Sequence, residues 1–223
     1  MKFNSSDKIN RLLAALAAGI LGNLLSFLST KLTSLNPQVA FDFSHLATFI
    51  VALAFGPLYG IITGAIGAIY PYIHFSLFGI YGPLFGLSII FGKSMTGFFC
   101  GLLRKQMPVY LAVTLSFIPE SLFIFGFLQF MILILPSGSL TGGMISNIIT
   151  EAWVEVIIFS FLIDNVMRRK VIETAVLMLE IFIIMFLVHK EFIDTLLVIL
   201  LITLITLILF DLIKPFIKEE TRK

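Results

Sequence analysis

The sequence predicts an all-α fold: a polytopic transmembrane helical bundle, with a six-helix core and a C-terminal two-helix hairpin, about eight helices in all. Three observations predict it. The chain of 223 residues is 59% hydrophobic and 13% charged, with a mean hydropathy of +1.07, outside the range of soluble domains. Its apolar residues fall into windows of the length a bilayer requires. Its basic residues collect in the gaps between those windows in an order that eight spans place on one side.

The windows give helices at 10–32, 44–56, 58–77, 82–104, 108–135, 141–167, 171–189 and 192–214. The first is too long for a signal peptide and is expected to stay in the protein. The second is short for a span and ends in a Gly-Pro break, Gly56-Pro57, after which Gly60, Gly64 and Gly67 follow in quick succession. Proline at a helix start loses nothing, because its N–H would be unpaired there anyway. Glycines at this spacing let backbones approach in lipid, where no hydrophobic effect pulls helices together. Pro119 in the fifth helix should kink it and free backbone polar groups.

Lys2, Lys8 and Arg11 precede the first helix, Arg104 and Lys105 follow the fourth, and Arg168 to Lys170 follow the sixth. Lys214, Lys218, Arg222 and Lys223 close the chain. All four clusters are cytoplasmic if both termini are. The segments after Lys170 contain no glycine, so 1–168 is expected to be the functional membrane domain and 169–223 a scaffold hairpin with a cytoplasmic tail.

Enzymatic chemistry finds no support. The chain has no HExxH, GxSxG or P-loop pattern and no paired-aspartate motif of membrane CDP-alcohol transferases. Cys100 is the only cysteine, which excludes a disulfide framework or a cysteine metal site. Asp42, His45 and His74 match no metal-binding spacing, so no metal is expected. Nothing points to nucleic acid.

Three constellations remain. Ala14, Ala18 and Gly22 form a ladder at four-residue spacing on the first helix, a flat face for another helix of this chain or of a separate membrane subunit. Lys93, Glu120, Glu151 and Glu155 lie at membrane depth, where an ionisable group costs roughly 2.5–3.5 kcal/mol at a helix centre and so faces the interior with a partner. Asn147, Glu151 and Glu155 fall within roughly 80° on one helix face. This set reads either as a ligand pocket, for which Asn147 and Glu151 are best placed, or as a structural tie, which suits Lys93 and Glu155 better. The third set, Asp42, His45, Tyr70, His74 and Tyr81, clusters around the outer turns. It reads either as a wall for a planar organic ligand or as an interfacial aromatic belt.

With those residues in view, the chain resembles the substrate-binding S component of energy-coupling factor (ECF) transporters. The resemblance covers about 10–168. It rests on Ala14-xxx-Ala18, on Ala54-Phe-Gly-Pro-Leu-Tyr-Gly-Ile-Ile-Thr-Gly-Ala-Ile-Gly67, and on Phe85-Gly-Leu-Ser-Ile-Ile-Phe-Gly-Lys-Ser-Met-Thr-Gly-Phe-Phe-Cys-Gly101 with Arg104 and Lys105 behind it. Ala68 stands where many members carry Asp, and the hairpin at 171–214 is an addition to the usual six helices. The resemblance implies a prokaryotic cell membrane and a vitamin or similar micronutrient bound near the outer face, walled by the fourth to sixth helices and the first outer loop. It also implies docking through Ala14 and Ala18 on a transmembrane coupling subunit that carries two ATPase subunits. ATP is then used by those partners, and no cofactor is bound by this chain. A membrane scaffold or assembly protein of related fold, binding a protein partner and no solute, is the alternative.

Overall fold

The computed structural model describes residues 5–33, 42–78, 82–134 and 141–168. They form six helices and no strand: α1 (Ser5–Thr33), α2 (Ser44–Phe55), α3 (Pro57–Leu77), α4 (Gly82–Leu103), α5 (Val109–Ile134) and α6 (Gly142–Met167). All but α2 are long and apolar enough to cross a membrane, and the chain is a multi-pass membrane protein. The expected hairpin at 171–214 lies outside the described residues.

At twelve residues, α2 is about 18 Å long against a hydrocarbon core of about 30 Å. All twelve are buried. It is therefore a core helix wrapped by longer ones, which explains a sequence that is apolar on every side yet too short to span. Gly56 ends it at φ 98°, a left-handed conformation suited to glycine. The Arg104 guanidinium donates to the carbonyls of Leu53 and Ala54, at 3.0 and 2.6 Å, closing the helix end.

Packing between α3 and α4 runs through glycine. A Cβ on Gly60 would strike the Gly97 carbonyl, one on Gly97 would strike that of Gly60, and one on Gly64 would strike the backbone of Lys93. The two backbones thus touch directly, as small-residue contacts in membranes allow. Contact at Lys93 fixes where on α4 its side chain emerges.

α3 is not regular. It is α-helical over Pro57–Gly67, breaks at Ala68, resumes at Ile69–Pro71 and continues as a π-helix over Tyr72–Leu77. Asn23 of α1 bridges the break, donating to the Ile66 carbonyl at 2.7 Å and accepting from the Tyr70 N–H at 2.7 Å. Backbone groups released inside a membrane need such partners. α5, by contrast, continues through Pro119 as one helix.

Two hydrophobic clusters fill the bundle. The larger joins α1, α2, α5 and α6 around Phe49, Phe117 and Phe159. The smaller, around Phe85, Ile124, Leu128 and Ile145, ties α4, α5 and α6. The outside is apolar too: Leu13, Ile20, Leu122 and Leu133 are each more than half exposed.

Candidate functional site

Five ionisable side chains meet at the seam between the two clusters. Asp42 and His45 come from the entry to α2, Lys93 from α4, Glu120 from α5 and Glu155 from α6. They line one cavity of about 150 Å³ with apolar walls from Phe75, Phe85, Ile89, Phe117, Ile124 and Ile149.

Local sequence sets each one. The Asp42 carboxylate accepts the Ser44 N–H at 3.1 Å, a turn that short polar side chains favour before a helix. Lys93, 1% exposed, donates to both Asp42 Oδ2 and Ser44 Oγ. Glu120 accepts from the Thr96 hydroxyl and stands 3.3 Å from His45 Nε2. Gly92 gives it room, since a Cβ there would sit 3.0 Å from Glu120 Cγ. Glu155 Oε2 accepts the Asp42 backbone N–H at 2.8 Å. Its Oε1 lies 3.4 Å from His45 Nδ1 yet has no hydrogen bond of good geometry. The His45 ring stacks on Phe49 at 5.9 Å and meets the edge of Phe117 at the same distance.

The electrostatics follow. Burial alone would push the Asp42 carboxyl up, but Lys93 and His45 beside it, with hydrogen bonds from Lys93 and Ser44, hold it at about 2, below the usual 3.8. His45 stands between two carboxylates, and neutral imidazole has a single N–H to share between them. Among the described residues three carboxyl groups face two cationic groups at most, so with all three ionised the wall would carry at least one excess negative charge.

Of the residues singled out in the sequence, Asp42, His45, Lys93 and Glu120 come together here. Glu155 joins them, but not as the partner of Lys93: the lysine pairs with Asp42, and Glu155 holds the chain ahead of α2. Asn147 and Glu151 do not line the cavity. Asn147 is exposed and Glu151 half-buried, because α6 turns the stripe Ile148, Ile149, Ala152 and Glu155 inward.

Tyr70 and His74 are also off the wall. Tyr70 Oη is 3.1 Å from Thr30 Oγ1, and its ring stacks on His74 at 5.5 Å. Pro71, just ahead of the π-helix, and Phe75 within it face the cavity instead. Tyr81 lies outside the described residues. Sequence reasoning missed Ser44, Thr96 and Phe75. Ser44 two residues after an aspartate and Thr96 one turn beyond Lys93 were the available signals; nothing in the sequence marked the π-helix.

The Ala14–Ala18–Gly22 ladder is interior. Ala14 is 6% exposed and Ala18 0%, and a Cβ on Gly22 would meet Ala47 at 3.3 Å. This differs from a docking face open to a separate subunit. The physical reason is that α2 and α3 fill that side of α1, where the Thr63 hydroxyl also donates to the Ala15 carbonyl at 3.1 Å.

Comparison of the chain with protein-family models, with curated proteins and with solved structures finds no match.

Proposed function

We propose that this chain is the substrate-capture subunit of an ECF-type ATP-driven importer, taking a small water-soluble nutrient into the cavity between α4, α5, α6 and the segment ahead of α2. One observation carries the reading: five ionisable side chains from four elements are gathered inside a membrane bundle around a cavity. Ionisable groups at that depth are costly and mark ligand paths more often than scaffolding. The walls are also the elements to which the family resemblance assigns the ligand. The chain has no nucleotide-binding motif, so energy comes from a coupling subunit and two ATPase subunits. The face of α1 left for that coupling subunit is the one bearing Leu13 and Ile20, 58% and 64% exposed, beside the buried ladder. The site opens toward the outer face of a prokaryotic membrane, with both termini cytoplasmic.

Mass spectrometry of small molecules that copurify with the protein tests the reading. A solute is expected that is lost from Glu120→Gln and Lys93→Met proteins that remain folded. Equal recovery from those variants, or no solute together with uptake that needs no ATPase partner, refutes it.

A membrane scaffold is the second reading, favoured by the fact that Lys93 finds both its acceptors within the chain. It predicts that cluster variants lose stability while no solute is ever recovered.

A further inference from the structure

Resting on the solute-capture reading, we propose that the cavity takes a small organic cation, an ammonium-bearing molecule of about one six-membered ring, with the Glu155 carboxylate as its counter-ion. Charge balance comes first. Asp42, Glu120 and Glu155 are three carboxylates, and among the described residues the cavity wall supplies only Lys93 and His45 against them. Lys93 is committed to Asp42 and Ser44. His45, even counted as imidazolium, is shared between Glu120 and Glu155. With all three ionised, one negative charge would stay uncompensated in a site that a bilayer surrounds, where an unpaired charge is costly; a bound cation lets Glu155 ionise there. An anionic solute would add to the excess; a cationic one removes it.

Glu155 shows where the cation sits. The residue is 3% exposed. One of its oxygens is used by the Asp42 N–H; the other, Oε1, has only the 3.4 Å contact with His45 Nδ1 and no hydrogen bond of good geometry. Buried carboxylate oxygens are normally satisfied, and one left with a single long contact on a cavity wall can take a further donor. The rest of the wall fits the body of such a molecule. Phe75, Phe85 and Phe117 supply aromatic surface, which favours both a ring and a neighbouring positive charge. A cavity of about 150 Å³ is of the size that admits benzene in an apolar protein interior.

The test uses the full chain purified in detergent, with three probes of one shape and different charge: benzylammonium, benzyl alcohol and benzoate at neutral pH. Binding is read from the Trp153 fluorescence and from the shift in thermal unfolding, with sodium chloride matched throughout. Benzylammonium is expected to bind saturably and at least about tenfold more tightly than benzyl alcohol, as a charge-assisted hydrogen bond allows. Glu155→Gln should close that gap, because the cation then loses its charged partner. Ala152→Phe, which fills the cavity from α6 without touching the charges, should abolish the response to every probe in a protein that still unfolds cooperatively.

Benzyl alcohol or benzoate binding as tightly as the cation overturns the charge assignment and leaves solute capture standing. So does equal protection by sodium chloride alone, which would make the counter-ion inorganic. A response that survives Ala152→Phe puts the binding elsewhere and overturns the site. No saturable response to any probe overturns the capture reading together with this one.

Discussion

The Glu155 carboxylate of α6 accepts the backbone N–H of Asp42 at 2.8 Å across 113 positions of chain. That bond latches the segment ahead of α2 onto α6. Asp42 then reaches Lys93, Ser44 orients beside it, and His45 is delivered between two carboxylates. The cavity wall is thus held by a main-chain contact as much as by charge pairing. Removing the acceptor should be felt beyond α6: Glu155→Leu leaves the Asp42 N–H without its partner and is expected to cost about 1–3 kcal/mol. Glu155→Gln keeps an acceptor and should cost less. Thermal unfolding of both in one detergent decides; equal losses would mean that the latch contributes nothing.

Lys93 and Asp42 should behave as a pair. Removing one partner of a buried ion pair strands the other, at about 3–5 kcal/mol. Lys93→Met and Asp42→Asn singly are expected to lower the unfolding temperature sharply, and together to recover much of the loss. A double-mutant cycle in thermal unfolding measures the coupling. Additive losses would show that the two do not depend on each other.

The acid limb of stability follows from Asp42. Its folded carboxyl is held at about 2 against an ordinary value of 3.8. A depressed carboxyl gives stability that is complete above the unfolded value and is lost as pH falls through the folded one. Its contribution, of the order of 2 kcal/mol, should be intact at pH 6 and fade between about pH 4 and pH 2. Asp42→Asn should remove that part of the slope. Trp153, whose ring meets the edge of Phe117 at 5.1 Å, gives a fluorescence reading of the transition.

Helix positions were legible in the sequence because each window of apolar length is bounded by Gly, Pro or charge, and the ends of α2 to α6 fall within about two residues of the sequence reading. Lys93 and Glu120 were legible as site residues because an ionisable group at membrane depth is costly enough to need a buried partner or a ligand. Which groups pair was not. Helical phase gives a face but no partner, and Lys93 chose an aspartate outside any helix over a glutamate on one. Phase also drifts: Asn147 and Glu155 are eight residues apart, roughly 80° around the helix, enough to put one on the outside and the other on the cavity. Within the π-helix at Tyr72–Leu77, Phe75 lines the cavity and His74 does not, and no residue there announces the wider turn.

Glycine contacts between α3 and α4 should be intolerant where backbones touch. Gly60→Ala or Gly97→Ala places a Cβ against a carbonyl that cannot rotate away, so the helices must part and Lys93 moves with α4. Each is expected to lower stability by about 1–3 kcal/mol, as overpacking does, and to weaken probe binding. Gly126→Ala on α5 has open space around it and should stay within about 1 kcal/mol of the parent. Unfolding curves for the three variants make the comparison. Similar behaviour in all of them would mean that the α3–α4 contact is softer than its geometry implies.

The two sides of α1 separate packing from docking. Ala18 is fully buried, so Ala18→Trp has no room and is expected to abolish folding, probe binding and uptake together. Ile20, 64% exposed, faces outward, and Ile20→Trp should fold and bind as the parent does, with a thermal shift of about 0.5 kcal/mol or less. If α1 meets a coupling subunit through that outer side, Ile20→Trp or Leu13→Trp lowers uptake in cells that carry the ATPase partners and leaves binding by the purified protein intact. Normal uptake in both variants would move the docking surface off α1. An Ala18→Trp protein that folds and binds but cannot transport would return it to the ladder, and would mean that α2 and α3 can separate from α1 when a partner is present.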